Sequence, residues 1–230
     1  MSAVLFVVSA ARHLTLADGT AHATGFWAEE LLTPYDVLSS AGHEIAFATP
    51  GGLAPVADEG SLAGPEGDAA RAALAAIPGL AAPQRLEDVD LSAFDAVFYP
   101  GGHGPMADLA TDPVSGALIV RALDADLPLA LVCHGLAGLL AATRADGTLA
   151  SAGRTVTAFT DAEELQGGLG ENTPWLLESA LRERGVVVEA AEPWADFVVE
   201  DGALVTGQNP QSSASVAQAL LAQLTARVAA

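Results

Sequence analysis

The chain has 230 residues, 51% of them hydrophobic, and its 29 acidic against 9 basic residues give a net charge of −20. That composition supports one core-forming domain over 1–230 and argues against nucleic acid or an anionic membrane surface as partner. Every basic residue is Arg, and the single cysteine, Cys133, excludes an internal disulfide and suits a reducing cytoplasm.

The first element is AVLFVVS (3–9), a short apolar run with no basic residue before it. It reads as a buried strand rather than a secretory leader. The 10–24 stretch is expected as a loop bordering the site, with His13 and His22 at the surface. A helix is expected over 34–40, with Thr33 as N-cap, Pro34 in the first position and Gly42 as its stop. EIAFAT (44–49) is the next strand, begun by His43, and the Gly/Pro/Ala-rich 50–67 stretch reads as a surface excursion. An Ala-rich helix over 68–77, a strand over 95–100, a helix over 113–123 and a strand over 129–133 follow, then a helix over 134–143.

Further on, RTVTAF (154–159) reads as a strand, and Thr173-Pro174 opens a helix reaching Gly185. VVVEA (186–190) is a strand, FVVEDGALVTG (197–207) a hairpin around Asp201-Gly202, and a last helix runs from Ser212 to Val228. The strands are continuous apolar runs rather than alternating ones, as in a parallel sheet covered on both faces. Strand–helix alternation therefore predicts an α/β fold: a doubly wound, mostly parallel sheet flanked by helices, with a C-terminal hairpin and helix. No run of about 18 apolar residues is present, so no membrane span is expected.

Cys133 ends one of these strands and is followed at once by His134 and Gly135. A strand that ends on a nucleophile and turns sharply into a helix is a nucleophile elbow. Such a helix start favours thiolate, and the N–H of His134 can face a developing oxyanion. The plainer alternative is an inert core cysteine. A second strand ends in FYPGGHGPMADL (98–109), a glycine-rich turn that leaves the sheet at the same edge, where ligands of open α/β sheets bind. The N–H of Gly102 could serve as a second oxyanion donor, and His103 could line the pocket. The spacing fits neither a Walker A loop nor GxGxxG. No spacing among the five His and Cys133 resembles a zinc motif such as HExxH, so neither metal nor cofactor is expected. Trp27, Trp175 and Trp194 suit core or rim positions, Trp194 bordering the pocket.

Taken together, FYPGGHGPMADL, LVCHG, VTAFTDAEE and VTGQNPQSS resemble the ThiJ/PfpI superfamily, with its class I glutamine amidotransferase-like, flavodoxin-like fold. TGFWAEELLTPYDVLSSAGHEIAFATPGG (24–52) resembles the first helix of its heat-shock-protein-31-like, glyoxalase III-type branch. The resemblance covers nearly the whole chain. It implies that Cys133 is the nucleophile and His134 the adjacent catalytic histidine. It implies Glu30 as the acid against the sulfur, with Glu29 one residue off. Glu164 is implied as the acid that orients the histidine, with Glu163 as rival, and Gly102 and His134 as the oxyanion-hole amides. The branch usually has Pro after Cys-His-Gly; here Leu136 stands there, on the first turn of the next helix, where it would shape the pocket. The implied activity is glutathione-independent conversion of a 2-oxoaldehyde to a 2-hydroxy acid, by a homodimer acting on a small carbonyl compound. Two alternatives use the same residues: a Cys-dependent hydrolase or amidase, and a non-enzymatic redox-sensing or holdase stress protein.

Overall fold

The computed structural model describes residues 1–167 and 169–229. In chain order the elements are β1 (Ala3–Val7), β2 (His13–Thr15), β3 (Ala21–Ala23), α1 (Ala28–Ser40), β4 (Glu44–Thr49), α2 (Gly67–Ala76), β5 (Gln84–Arg85) and β6 (Ala96–Tyr99). Then come α3 (Gly104–Ala107), α4 (Pro113–Asp124), β7 (Leu129–Val132), β8 (Thr155–Val156), α5 (Asp161–Gln166) and α6 (Leu177–Glu183). The chain ends with β9 (Val187–Val188), β10 (Val198–Asp201), β11 (Leu204–Gly207) and α7 (Ser213–Ala229).

The seven-stranded sheet has the order β10-β11-β7-β6-β1-β4-β5. All its pairings are parallel except that of β10 with β11. Every residue of β6 and β7 is buried, which is why these strands carry unbroken apolar runs. Helices α1 and α7 pack on each other and onto β4, β7 and β11, while α4 packs on β7 and the turn that follows it. At the sheet centre Phe6 stacks on Phe98 at 4.8 Å between ring centroids and meets Phe47 edge-on at 5.6 Å. No helix among the described residues is long and apolar enough to cross a membrane.

Several boundaries differ from those expected. The first helix runs over Ala28–Ser40, with Trp27 as N-cap, so Thr33 is not its cap and Pro34 lies inside it. Leu31, Pro34 and Leu38 are buried on one face, and that packing outweighs the one backbone bond Pro34 removes. The 10–24 stretch holds the hairpin β2–β3 rather than plain loop. The 154–159 and 186–190 runs shrink to β8 and β9, which pair with each other in a separate two-stranded sheet, β8 lying against β10 and β11. Thr157 N–H instead donates to Thr206 Oγ1 at 3.0 Å, so the backbone leaves the ladder there. Thr173-Pro174 does not open a helix; Thr173 is extended and α6 starts only at Leu177. The stretch after β7 is a 3₁₀ helix over Cys133–Ala141. The 50–67 stretch is not wholly a surface excursion: Val56 carbonyl accepts from Phe26 N–H, Asp58 accepts from Thr24 Oγ1 at 2.7 Å, and Leu62 is buried. It braces the segment that leads into α1.

Replacing Phe6 by Ala removes the ring at the centre of this stack and leaves a cavity. The expected cost is about 3–5 kcal/mol, read as a lower urea midpoint with an unchanged denaturant slope.

Candidate active site

The site lies beyond the carboxyl ends of β6 and β7, where parallel sheets place their ligands. Cys133 follows β7 directly and has φ 56°, a left-handed conformation that non-glycine residues rarely adopt. That turn lifts the side chain out of the strand direction. The loop after β6 comes alongside through two glycines. A Cβ at Gly101 would stand 2.5 Å from Glu30 Oε2 and 2.7 Å from Val132 O. At Gly102, with φ 87°, it would stand 2.5 Å from Trp27 N. Only residues without a side chain let three chain segments meet here. Trp27 N–H donates to Gly101 O at 3.0 Å and locks the start of α1 onto this loop.

Glu30, on the first turn of α1, is completely buried. Its Oε2 accepts the Gly101 N–H at 2.7 Å, while Oε1 makes no hydrogen bond of good geometry. The Cys133 thiol is its hydrogen-bonding neighbour. Burial pushes the Glu30 carboxyl up to about 8, against the pull of Cys133 and Gly101. Burial, and then the neighbouring Glu30, push the Cys133 thiol well up, with the N–H groups of His134 and Gly102 pulling the other way. The thiol is therefore not lowered by a helix start, as the sequence led one to expect: the segment is 3₁₀, and dehydration beside a carboxyl dominates. Glu29 points elsewhere and is exposed. The two amides that bond the sulfur are those of Gly102 and His134, so both N–H groups converge on the reacting atom.

His134 is buried, with Nδ1 3.4 Å from Cys133 Sγ and Nε2 2.8 Å from Glu164 Oε2. Burial and the neighbouring His103 lower its pKa to about 4, so it is neutral at pH 7. Burial pushes Glu164 up, but the bonds from His103 and His134 outweigh this and hold it well below the usual carboxylate range. The one imidazole proton of His134 then sits on Nε2, donated to the carboxylate, and the Nδ1 lone pair faces the thiol. Its neighbour Glu163 has a different job. It closes a capping box with Thr160 at the start of α5, and its Oε1 accepts from Gln208, Asn209 and Trp194 N–H.

His103 Nε2 stands 3.1 and 3.2 Å from the two oxygens of Glu164, and its ring lies 4.3 Å from that of His134. His103 and Trp194 both line a cavity of about 60 Å³ that also contains Trp27, Cys133, His134 and Phe159. Trp194 has φ 66°, is held through its N–H to Glu163, and bonds Gln166 through its indole. Leu136 is fully buried and does not line this cavity. His13 and His22 lie on the β2–β3 hairpin away from it, and His43 accepts from Ser2 N–H at 3.2 Å. Sequence reasoning gave no role to Trp27 as a wall, to Phe159, whose ring packs 4.5 Å from His134, or to Gln208 and Asn209. The TGQNP motif was visible, but nothing local tied it to Glu163.

The raised Glu30 carboxyl leaves a pH signature. The folded protein holds that proton between about 4.5 and about 8 while the unfolded chain has lost it, so Glu30 destabilises the fold increasingly as pH rises through this window. His134, lowered from 6.5 to about 4, works oppositely, its contribution growing as pH rises from 4 to 6.5. Between 6.5 and 8 the Glu30 slope stands alone. Glu30→Gln is expected to gain stability relative to wild type across 4.5–8 and to level off above. Urea unfolding at several pH values measures it, and a difference that does not change with pH would contradict the buried, raised carboxyl.

A model of the DJ-1/PfpI family matches residues 21–223. The chain is 30% identical over 214 residues to glutathione-independent glyoxalase hsp3101 of Schizosaccharomyces pombe, with 86% of each chain covered. It is also 30% identical over 224 residues to the protein/nucleic acid deglycase HchA of Pseudomonas aeruginosa, covering 91% of this chain and 76% of that one. The crystal structure of Rapid Encystment Protein 24 KDa from Francisella tularensis superposes with a TM-score of 0.88 at 27% identity, over 97% of this chain and 99% of the other. With a family match across most of its length and relatives of similar size and fold, the chain belongs to the DJ-1/PfpI family.

Proposed function

We propose that this protein converts a small 2-oxoaldehyde of the methylglyoxal type into the 2-hydroxy acid, without glutathione, with Cys133 as nucleophile. The observation that carries the reading is the dry thiol–carboxyl pair of Cys133 and Glu30 at the end of a cavity of about 60 Å³. That volume takes a molecule of roughly a few heavy atoms. The relatives named glyoxalase and deglycase support carbonyl chemistry. The aromatic walls and a thiol only 3% exposed favour free aldehydes over adducts on macromolecules. The net charge of −20 adds repulsion against nucleic acid.

In this mechanism His134 Nδ1 takes the thiol proton and Sγ adds to the aldehyde carbon, giving a hemithioacetal. The Gly102 and His134 amides hold the alkoxide that forms. Glu30 or His134 moves the proton of that carbon to its neighbour through an enediol, leaving a thioester. Water then cleaves the thioester, releasing the 2-hydroxy acid and the thiol. Glu164 keeps His134 in the tautomer this requires. Since Glu30 and Cys133 both hold their protons at pH 7, the thiol gives its proton to His134 only as it attacks, and the enediol step gains a base as Glu30 loses its proton toward about 8. The same reading makes the protein a homodimer working in a reducing cytoplasm.

The test is lactate formation from methylglyoxal by purified protein without glutathione. Cys133→Ala is expected to lose on the order of a thousandfold or more in turnover while staying folded. Glu164→Gln, which removes the charge but keeps the shape, is expected to lose about a hundredfold in kcat. Wild-type kcat/KM is expected to climb between pH 6.5 and 8. Undiminished turnover in Cys133→Ala would refute the thiol mechanism; a folded, inactive wild type would shift the reading to an amide- or ester-cleaving hydrolase.

A further inference from the structure

Glu164 is bonded by two imidazoles, not one, and the His103 bond has no part in the mechanism above. The donor atoms of His103, His134 and Glu164 all lie within 4.8 Å of one another. Glu164 Oε2 stands 2.8 Å from His134 Nε2 and 3.2 Å from His103 Nε2. In a tetrahedral zinc shell with metal–nitrogen bonds of about 2.0–2.1 Å, neighbouring ligand atoms stand roughly 3.3 Å apart. Side-chain shifts of about an ångström or less per ligand atom would bring separations that now run from 2.8 Å to within 4.8 Å to that spacing.

We propose that His103, His134 and Glu164 form a two-histidine, one-carboxylate site for a zinc-like divalent cation, open toward the cavity, and that filling it switches off the chemistry of Cys133. The three residues lie 31 and 30 positions apart, so no local spacing motif announces them. Two histidine nitrogens and a carboxylate are a donor set that borderline metals such as zinc favour. The His103 side chain is 16% exposed, which gives an ion a way in, and the strongly acidic protein attracts cations. His103 and His134 both line the cavity that Cys133 lines, from which a water could complete the coordination.

The switch follows from proton placement. Without metal, His134 carries its proton on Nε2 and offers the Nδ1 lone pair to the thiol, 3.4 Å away. When Nε2 binds a metal, the imidazole proton moves to Nδ1, with no net loss of protons. Nδ1–H then faces the sulfur as a donor and cannot take the thiol proton. Cys133 itself lies on the Nδ1 side, away from the metal, and is not a ligand. The inhibitory half of this proposal rests on the proposed reaction; the binding half does not.

The experiment titrates chelator-treated protein with zinc against a chromophoric chelator, and with cobalt(II) as a spectroscopic probe. Wild type and Cys133→Ala are expected to bind one ion per chain with similar affinity and to show cobalt bands of nitrogen and oxygen ligation. His103→Asn and Glu164→Gln, each checked for folding by circular dichroism, are expected to bind at least about tenfold more weakly. Absence of saturable binding, loss of binding in Cys133→Ala with a thiolate-to-cobalt charge-transfer band, or unchanged binding in both ligand variants would overturn the site. Zinc is further expected to abolish lactate formation, with recovery on chelation. Stoichiometric binding that leaves an active enzyme active would overturn the switch, whereas a wild type without lactate formation would count against the proposed function and leave the titration to judge the site.

Discussion

A carboxyl and a thiol buried side by side cannot both carry charge, and the architecture around Cys133 answers that constraint. Glu30 has no exposed surface and only one conventional donor, the Gly101 N–H. Dehydration keeps its proton on. To hold the pair together, α1 must begin six residues before Pro34, the β6 loop must present two bare glycines, and Cys133 must take a left-handed backbone. Each of these features is locally unfavourable. The buried sheet and the packing of α1 on α7 supply the stability that offsets them.

The second carboxylate of the site shows how far environment sets role. Glu164 is nearly as buried as Glu30, yet its shift runs the other way, because two imidazoles donate to it. One acid is kept neutral beside the nucleophile, the other ionised behind the histidine. Two like groups pushed apart in this way divide the proton-holding and proton-orienting tasks. A third, Glu163, is a structural centre: it ties the start of α5 to the Trp194 loop and to Gln208 and Asn209. Through Trp194 it also fixes a wall of the cavity.

Much of this was legible in the chain. Unbroken apolar runs at 3–9, 95–100 and 129–133 announce strands covered on both faces, and they form the middle of the sheet. Cys-His-Gly at the end of such a run marks the turn. What was not legible depends on packing. Pro34 looks like a helix start because the sequence shows the ring and not the buried Leu31 and Leu38 beside it. RTVTAF has strand composition, yet Thr157 finds a side-chain acceptor on β11 and leaves the ladder after two residues. The residue pairs 29/30 and 163/164 differ by one position in sequence, and only their direction in space separates a solvent-facing carboxylate from one against the sulfur, or a cap from a histidine partner.

By itself, then, the sequence determined the layered α/β arrangement, the strand that ends on the thiol and the short set of residues around it, because hydrophobic periodicity and turn chemistry are written locally. The tertiary structure alone decided the protonation pattern. Whether a thiol is raised or lowered, whether an acid is neutral or charged, and whether His103 reaches Glu164 depend on dehydration and on distances between segments far apart in the chain. Those quantities exist only once the sheet has brought the ends of β6 and β7 and the starts of α1 and α5 to one place.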